Sequence, residues 1–134
     1  MTEKSMDECL NAIGQAIADE IDGDPDGAFL YAEAEPGAIY EALFLDRGNS
    51  VEYIEASAAL STALFEAWDA SEPGKSWATL SYAIVGKAFD ASFQYPNEIS
   101  NDEGPEERRR RILKERYGDK PIKYPTPPSD IIEL

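Results

Sequence analysis

The segment at residues 22–33, DGDPDGAFLYAE, has the residue types and spacing of a calcium-binding loop. Such a loop places carboxylates at its first, third, fifth and twelfth positions and a glycine at the sixth, because Ca²⁺ prefers oxygen ligands. The corresponding acids here are Asp22, Asp24, Asp26 and Glu33. These four residues are candidate metal ligands, and a calcium-binding regulatory module is one function that the sequence allows.

A calcium loop of this kind also requires a helix on each side, and the pattern lacks the second helix. After Gly27 the sequence alternates as FLYAEAE, and Pro36 follows three residues after Glu33. An extended chain rises about 3.3 Å per residue, so Glu33 would lie roughly 15 Å or more from the aspartates. We therefore expect a turn at DGDPDG and no metal site.

Hydrophobic periodicity predicts three helices. Apolar residues recur at helical spacing over residues 3–22 and again over residues 55–70. The third helix is predicted at residues 105–117, where a proline stands at its start and Gly118 follows its end.

Two β-hairpins are predicted between the helices. The first has its turn at Pro36 and Gly37, and the second has its turn at Gly86 and Lys87. Alternation along the first hairpin gives one aliphatic face, which is the candidate core: Leu30, Ala32, Ala34, Ile39, Leu43 and Leu45. Its other face carries aromatic residues and an acid: Phe29, Tyr31, Glu33, Tyr40 and Phe44. The segment VEYIE is a candidate third strand.

These elements predict an α+β fold in the order α-β-β-(β)-α-β-β-α, with three helices packed against an antiparallel sheet of four to five strands. Residues 1–117 are expected to form a single domain, because a chain of 134 residues suits one core. Residues 118–134 are rich in proline and lack periodicity, so we expect a tail that packs on the domain or extends from it.

The composition excludes several kinds of catalysis. Histidine is absent and Cys9 is the one cysteine, so Ser-His-Asp and Cys-His systems and the common zinc sites cannot be built. Carboxylate pairs remain, but 27 acidic residues make any particular pair uninformative. Composition alone therefore leaves catalysis by carboxylates, Lys, Tyr or a bound metal open, and a small carboxylate enzyme remains an alternative.

The same features favour a cytoplasmic protein that does not enter membranes. A single cysteine can form no internal disulfide, which is typical of a reducing compartment. The sequence has no run of 18 uncharged apolar residues, and charges interrupt its first ten residues.

Charge is divided unevenly along the chain. Residues 1–107 contain 23 acids and 4 bases, a net charge of −19, whereas residues 108–134 contain 4 acids and 8 bases, a net charge of +4, which together give −15. Such a field repels nucleic acid and anionic membranes and attracts a basic partner. Acidity that serves solubility alone would give the same composition.

The basic residues are concentrated in the segment EERRRRILKER of the third helix. Glu106 lies four residues before Arg110, and Glu107 lies four residues before Arg111, the spacing and order of favourable helical ion pairs. We expect these pairs to neutralise the helix, with the arginines in water and Leu113 facing the core. Nucleic-acid binding is therefore not expected.

Three segments together resemble the YezG-like immunity proteins, bacterial antitoxins formerly described as a domain of unknown function. The segments are FLYAEAE, WATLSYAIVGKAFDASFQYPNE and PEERRRRILKERYGDKP. With the leading helix, the resemblance covers nearly the whole chain. The resemblance implies an α+β fold without catalytic residues and a role in binding and neutralising a toxin domain, often a nuclease. On that basis we expect a protein that is not an enzyme and has no cofactor. The expected partner is therefore a basic cognate toxin.

The first hairpin is the predicted contact surface for that toxin, because acids and aromatic residues are gathered on it. The predicted toxin-binding residues are Tyr31, Glu33, Glu35, Tyr40 and Glu41. The alternative is that the tyrosines lie beneath a helix and the glutamates form a solvated edge. The protein itself is expected to be a monomer or a weak homodimer.

Overall fold

The computed structural model describes residues 5–21, 23–71, 74–100 and 102–124. Within them lie three α-helices: α1 (Met6–Glu20), α2 (Ala58–Asp69) and α3 (Pro105–Tyr117). The strands are β1 (Ala28–Glu35), β2 (Ala38–Asp46), β3 (Val51–Ile54), β4 (Thr79–Val85), β5 (Ala88–Gln94) and β6 (Ile122–Lys123). The predicted α+β fold and the predicted order of its elements are thereby confirmed, with one added strand.

The strands form one six-stranded sheet in the order β5-β4-β1-β2-β3-β6. All neighbouring strands are antiparallel except β3 and β6, which are parallel. The prediction of a purely antiparallel sheet of four to five strands was wrong at this edge, because Ile122 and Lys123 of the predicted tail pair with β3. The Val51 amide also donates a hydrogen bond to the Pro121 carbonyl at 2.8 Å, which attaches the residue before β6 to the start of β3.

Both predicted hairpins have the expected turns and register. Glu33 lies opposite Tyr40 across the first hairpin. Gly37 has a φ of 87° after Pro36, a turn conformation that glycine adopts without strain. In the second hairpin Ile84 lies opposite Phe89.

Each face of the sheet is covered by helices. The face with the aliphatic residues of the first hairpin packs against α1 and α2, in a cluster that includes Ile13, Ile17 and Leu64. The opposite face packs against α3, where Leu113 joins Phe29 and Phe44. The first hairpin is therefore buried on both faces, and the sheet is the middle of three layers. No helix in the described ranges combines the length and apolar character needed to cross a membrane.

Tyr82 of β4 ties α1 to the sheet. Its hydroxyl donates a hydrogen bond to the Leu10 carbonyl at 2.8 Å inside the core. This contact requires a glycine at position 14, because a Cβ there would lie 2.5 Å from the Tyr82 hydroxyl oxygen and 3.6 Å from the ring carbon that bears it. Burial raises the pKa of Tyr82 to about 12, so the hydroxyl is a neutral donor at physiological pH.

We predict that Gly14→Ala lowers the free energy of unfolding by about 1–3 kcal/mol, because the new methyl group collides with the Tyr82 hydroxyl. Tyr82→Phe removes one buried hydrogen bond and should cost about 1 kcal/mol. The double variant should be no less stable than Tyr82→Phe, because alanine favours the helix once the hydroxyl is gone. Urea denaturation of the four proteins measures this coupling, and additive losses would contradict it.

Candidate functional site

A cavity of about 390 Å³ lies between the tip half of the first hairpin and the beginning of α3. It is lined by strand residues and by the first turn of the helix: Tyr31, Glu33, Glu35, Tyr40, Glu41, Ala42, Pro105, Glu106 and Arg109. All five residues predicted to bind a toxin therefore border one concave site. Their side chains nevertheless have different environments, which divide them into a buried base, an exposed rim and one residue that faces away.

The base of the site is an ion pair between Arg108 and Glu33. Arg108 is 5% exposed, and its Nη1 donates to the Glu33 carboxylate at 2.5 Å. Its Nη2 donates to the backbone carbonyls of Glu103 at 2.7 Å and Ser100 at 3.3 Å. The guanidinium thus connects three segments of the chain: the middle of the sheet, the loop before α3 and α3 itself.

Tyr31 completes this base. Its hydroxyl donates to the second oxygen of the Glu33 carboxylate at 2.5 Å. Burial raises the pKa of Tyr31 well above its ordinary value, and the hydrogen bond to Glu33 raises this pKa further. Tyr31 is therefore a neutral donor, and both oxygens of Glu33 are engaged within the protein.

The sheet register explains why these groups meet. Glu33 is paired with Tyr40 on β2 and with Thr79 on β4, so it stands in the interior of the sheet rather than at its edge. Alternation places Tyr31 and Glu33 on the face that α3 covers. Arg108 lies in the first turns of α3 and supplies the charge that a carboxylate needs at this depth.

The rim of the site consists of Tyr40 and Glu35. Tyr40 is 60% exposed, and its hydroxyl donates to the Glu35 carboxylate at 3.3 Å. Both residues lie beside the turn of the hairpin, with Glu106 and Arg109 on the opposite wall. The rim can offer a partner an aromatic surface, a hydroxyl and carboxylate oxygens, which suit recognition of a cationic group.

Glu41 belongs to the other side of the sheet, although it borders the cavity. It is in register with Ala32, which packs in the core beneath α1 and α2. Its carboxylate accepts a hydrogen bond from the Ser61 hydroxyl of α2 at 2.5 Å. Alternation along β2 separates it from Tyr40, so the structure does not place the Glu41 carboxylate with the rim.

The residues of the calcium-loop pattern make other contacts. Asp22 lies outside the described residues. The Asp26 carboxylate accepts from the Gly86 amide at 2.7 Å, which joins this loop to the second hairpin, and Asp24 accepts from the Asp26 amide at 3.0 Å. Glu33 lies on the predicted strand, and its carboxylate forms an ion pair with Arg108. No group of three or more His, Cys, Asp or Glu side chains in the described ranges could hold a metal ion.

Arg108 is the site residue that sequence reasoning missed. The expectation placed all the arginines in water and paired Arg111 with Glu107, whereas Arg111 bonds to Glu103 at 2.9 and 3.0 Å and to Glu115 at 3.3 Å. The sequence does contain one signal of this burial. Arg108 stands four residues before Ile112 and therefore shares the helical face that packs on the sheet. An arginine on a core-facing stripe indicates acceptors opposite it, a carboxylate or carbonyl oxygens, because a buried charge needs partners.

The chain matches none of the protein-family models, and no curated protein is significantly similar to it.

We predict that Arg108→Met lowers the free energy of unfolding by about 3 kcal/mol, because it leaves the Glu33 carboxylate enclosed without its cation. Arg110→Met is the matched control, since it removes an exposed arginine of the same helix and should cost less than about 0.5 kcal/mol. Arg108→Met combined with Glu33→Gln should recover at least about 1 kcal/mol, because the unpaired charge is gone and Tyr31 keeps an acceptor. Equilibrium urea unfolding at neutral pH measures all three, and a double variant as unstable as the sum would contradict the pairing.

Proposed function

We propose that this protein is a non-catalytic immunity protein that binds a basic cognate toxin domain, such as a nuclease, and neutralises it. The resemblance to YezG-like antitoxins supports this class. The observation that carries the proposal is the rim of Tyr40 and Glu35, an exposed aromatic and acidic pair held on a rigid base at the tip of a hairpin.

The net charge of the molecule supports a basic partner. The α1 segment contains four acids and the α2 segment two, and neither contains Lys or Arg. By contrast, α3 contains six bases and three acids. Because α1 and α2 cover one face of the sheet and α3 covers the other, the helices are acidic on one side of the sheet and basic on the other, and the rim lies on the α3 side. The molecule's net charge of −15 accelerates encounter with a cationic surface.

The architecture of the rim suits a binding hot spot. Tyrosine is enriched among residues that dominate interface energies, because it brings a large surface with few rotatable bonds. Tyr40 of the rim is the register partner of Glu33, which is held in place by hydrogen bonds from Tyr31 and Arg108. A preorganised base reduces the entropy lost on binding.

The chemistry of a nuclease makes it a suitable target. A nuclease must present Lys and Arg to hold phosphates, and a carboxylate surface complements the same cations. Neutralisation then requires coverage of that surface and no reaction. This agrees with a site whose partly buried carboxylate and buried tyrosine are already bonded to each other.

The test is co-expression with a toxin gene found next to the gene of this protein, together with measured binding of the purified toxin domain. Wild-type protein should protect the cells. Tyr40→Ala and Glu35→Lys should each weaken binding about 30-fold or more, the loss typical of a hot-spot residue. Glu115→Lys makes the same charge change near the far end of α3 and should bind within about threefold of wild type.

Two outcomes would contradict the proposal at different levels. Failure of the wild-type protein to protect cells would overturn the immunity function. Full protection and unchanged affinity for Tyr40→Ala and Glu35→Lys would remove the hairpin rim from the interface. Binding should also weaken as salt rises, because screening reduces the attraction between opposite charges.

A further inference from the structure

Strand β5 forms an open edge of the sheet. Within the described residues it pairs with β4 alone, and its outer backbone groups lie along the sheet edge. Proteins usually protect such an edge with proline, lysine, a bulge or a very short strand. The sequence of β5, AFDASFQ, contains neither proline nor lysine and extends over seven residues. The edge is therefore competent to pair with another strand.

The register of the second hairpin determines which backbone groups point outward. Val85 and Ala88 flank the two-residue turn and form the first pair of the ladder. In an antiparallel ladder the residues bonded to the neighbouring strand alternate, so Ala88, Asp90, Ser92 and Gln94 bond to β4. The amides and carbonyls of Phe89, Ala91 and Phe93 are then directed to the open edge.

We propose that β5 pairs antiparallel with β5 of a second copy of this chain, with the two-fold axis at Ala91. This register places Ala91 opposite Ala91, and Phe89 opposite Phe93 of the second copy. Each of these pairs uses the outward-directed backbone groups of both strands. Two six-stranded sheets would join into one sheet of twelve strands with the two-fold symmetry common among homodimers.

The side chains of β5 are compatible with this self-pairing. Phe89 is 38% exposed and stacks on Tyr82 with ring centroids 4.9 Å apart, and Phe93 packs on Trp77 at 5.7 Å. Both phenylalanines are therefore held in place on the same face, where they would form two cross-strand aromatic pairs. The one charged residue, Asp90, falls opposite Ser92 of the second copy, so the register opposes no like charges on the strands themselves.

Net charge sets the salt dependence of this dimer. Each copy carries −15, so the copies repel each other at long range. Added salt screens this repulsion and should strengthen the dimer. The proposed toxin complex should weaken under the same change, which separates the two interactions experimentally.

The first test is sedimentation velocity of the full chain over a range of concentrations in ~0.05 M and ~0.5 M NaCl. We expect a monomer–dimer equilibrium that shifts towards dimer at the higher salt. Ala91→Pro removes the outward amide without removing a bond to β4, and should raise the dimer dissociation constant at least about tenfold. Ala91→Ser keeps that amide and should dimerise as wild type does. A wild-type chain that stays monomeric at high salt would overturn the proposal.

The second test identifies the register and uses a different readout. In the proposed pairing the two Ala91 Cα atoms lie about 5.5 Å apart, within the range that a disulfide spans. Ala91→Cys should therefore form a covalent dimer on mild oxidation. Lys87→Cys is the control, because its Cα atoms would lie about 26 Å apart at the rise of a strand. Equal crosslinking of the two variants would refute the Ala91 axis. Both variants also contain the buried Cys9, so this residue does not account for a difference between them.

Discussion

The ion pair between Arg108 and Glu33 is the constraint on which the site depends. An enclosed carboxylate in the interior of a sheet is unfavourable unless a cation and further hydrogen bonds compensate for its lost hydration. Arg108 supplies the cation, and Tyr31 supplies a neutral donor whose raised pKa keeps it protonated. Because the same guanidinium also binds two loop carbonyls, one side chain fixes how the start of α3 lies on β1. The shape of the cavity between the first hairpin and α3 follows from this placement of the helix.

The three-layer arrangement also separates the charges. One face of the sheet is aliphatic on the first hairpin and is covered by α1 and α2, whose charged residues are all acidic. The other face is richer in aromatic residues and is covered by α3, which is basic. Each helix packs its apolar side on the sheet, so most of its charged side chains lie towards solvent. The acidic and basic helices thus lie on opposite sides of the sheet as a consequence of which helix covers which face.

The two edges of the sheet differ in a way that matters for association. At one edge β6 is only two residues long and is held in place by Lys120, which binds the Asp46 carboxylate at 2.9 Å. The amide of Gly48 and this lysine lower the pKa of Asp46, so the carboxylate remains charged near neutral pH. At the other edge β5 presents seven residues without comparable cover in the described part of the chain. Of the two edge strands, β5 is therefore the one long enough for self-pairing.

The sequence by itself determined the helices, both hairpin turns and their register, because periodicity records which side of each element is buried. The sequence also places Tyr31, Glu33, Glu35 and Tyr40 on one face of one hairpin. The same alternation puts Glu41 on the opposite face. Only the tertiary structure decided that Glu33 is neutralised by Arg108, 75 residues away, and that β6 joins β3. Local patterns cannot specify such pairings, because their energy depends on groups that become neighbours only when α3 packs against the sheet.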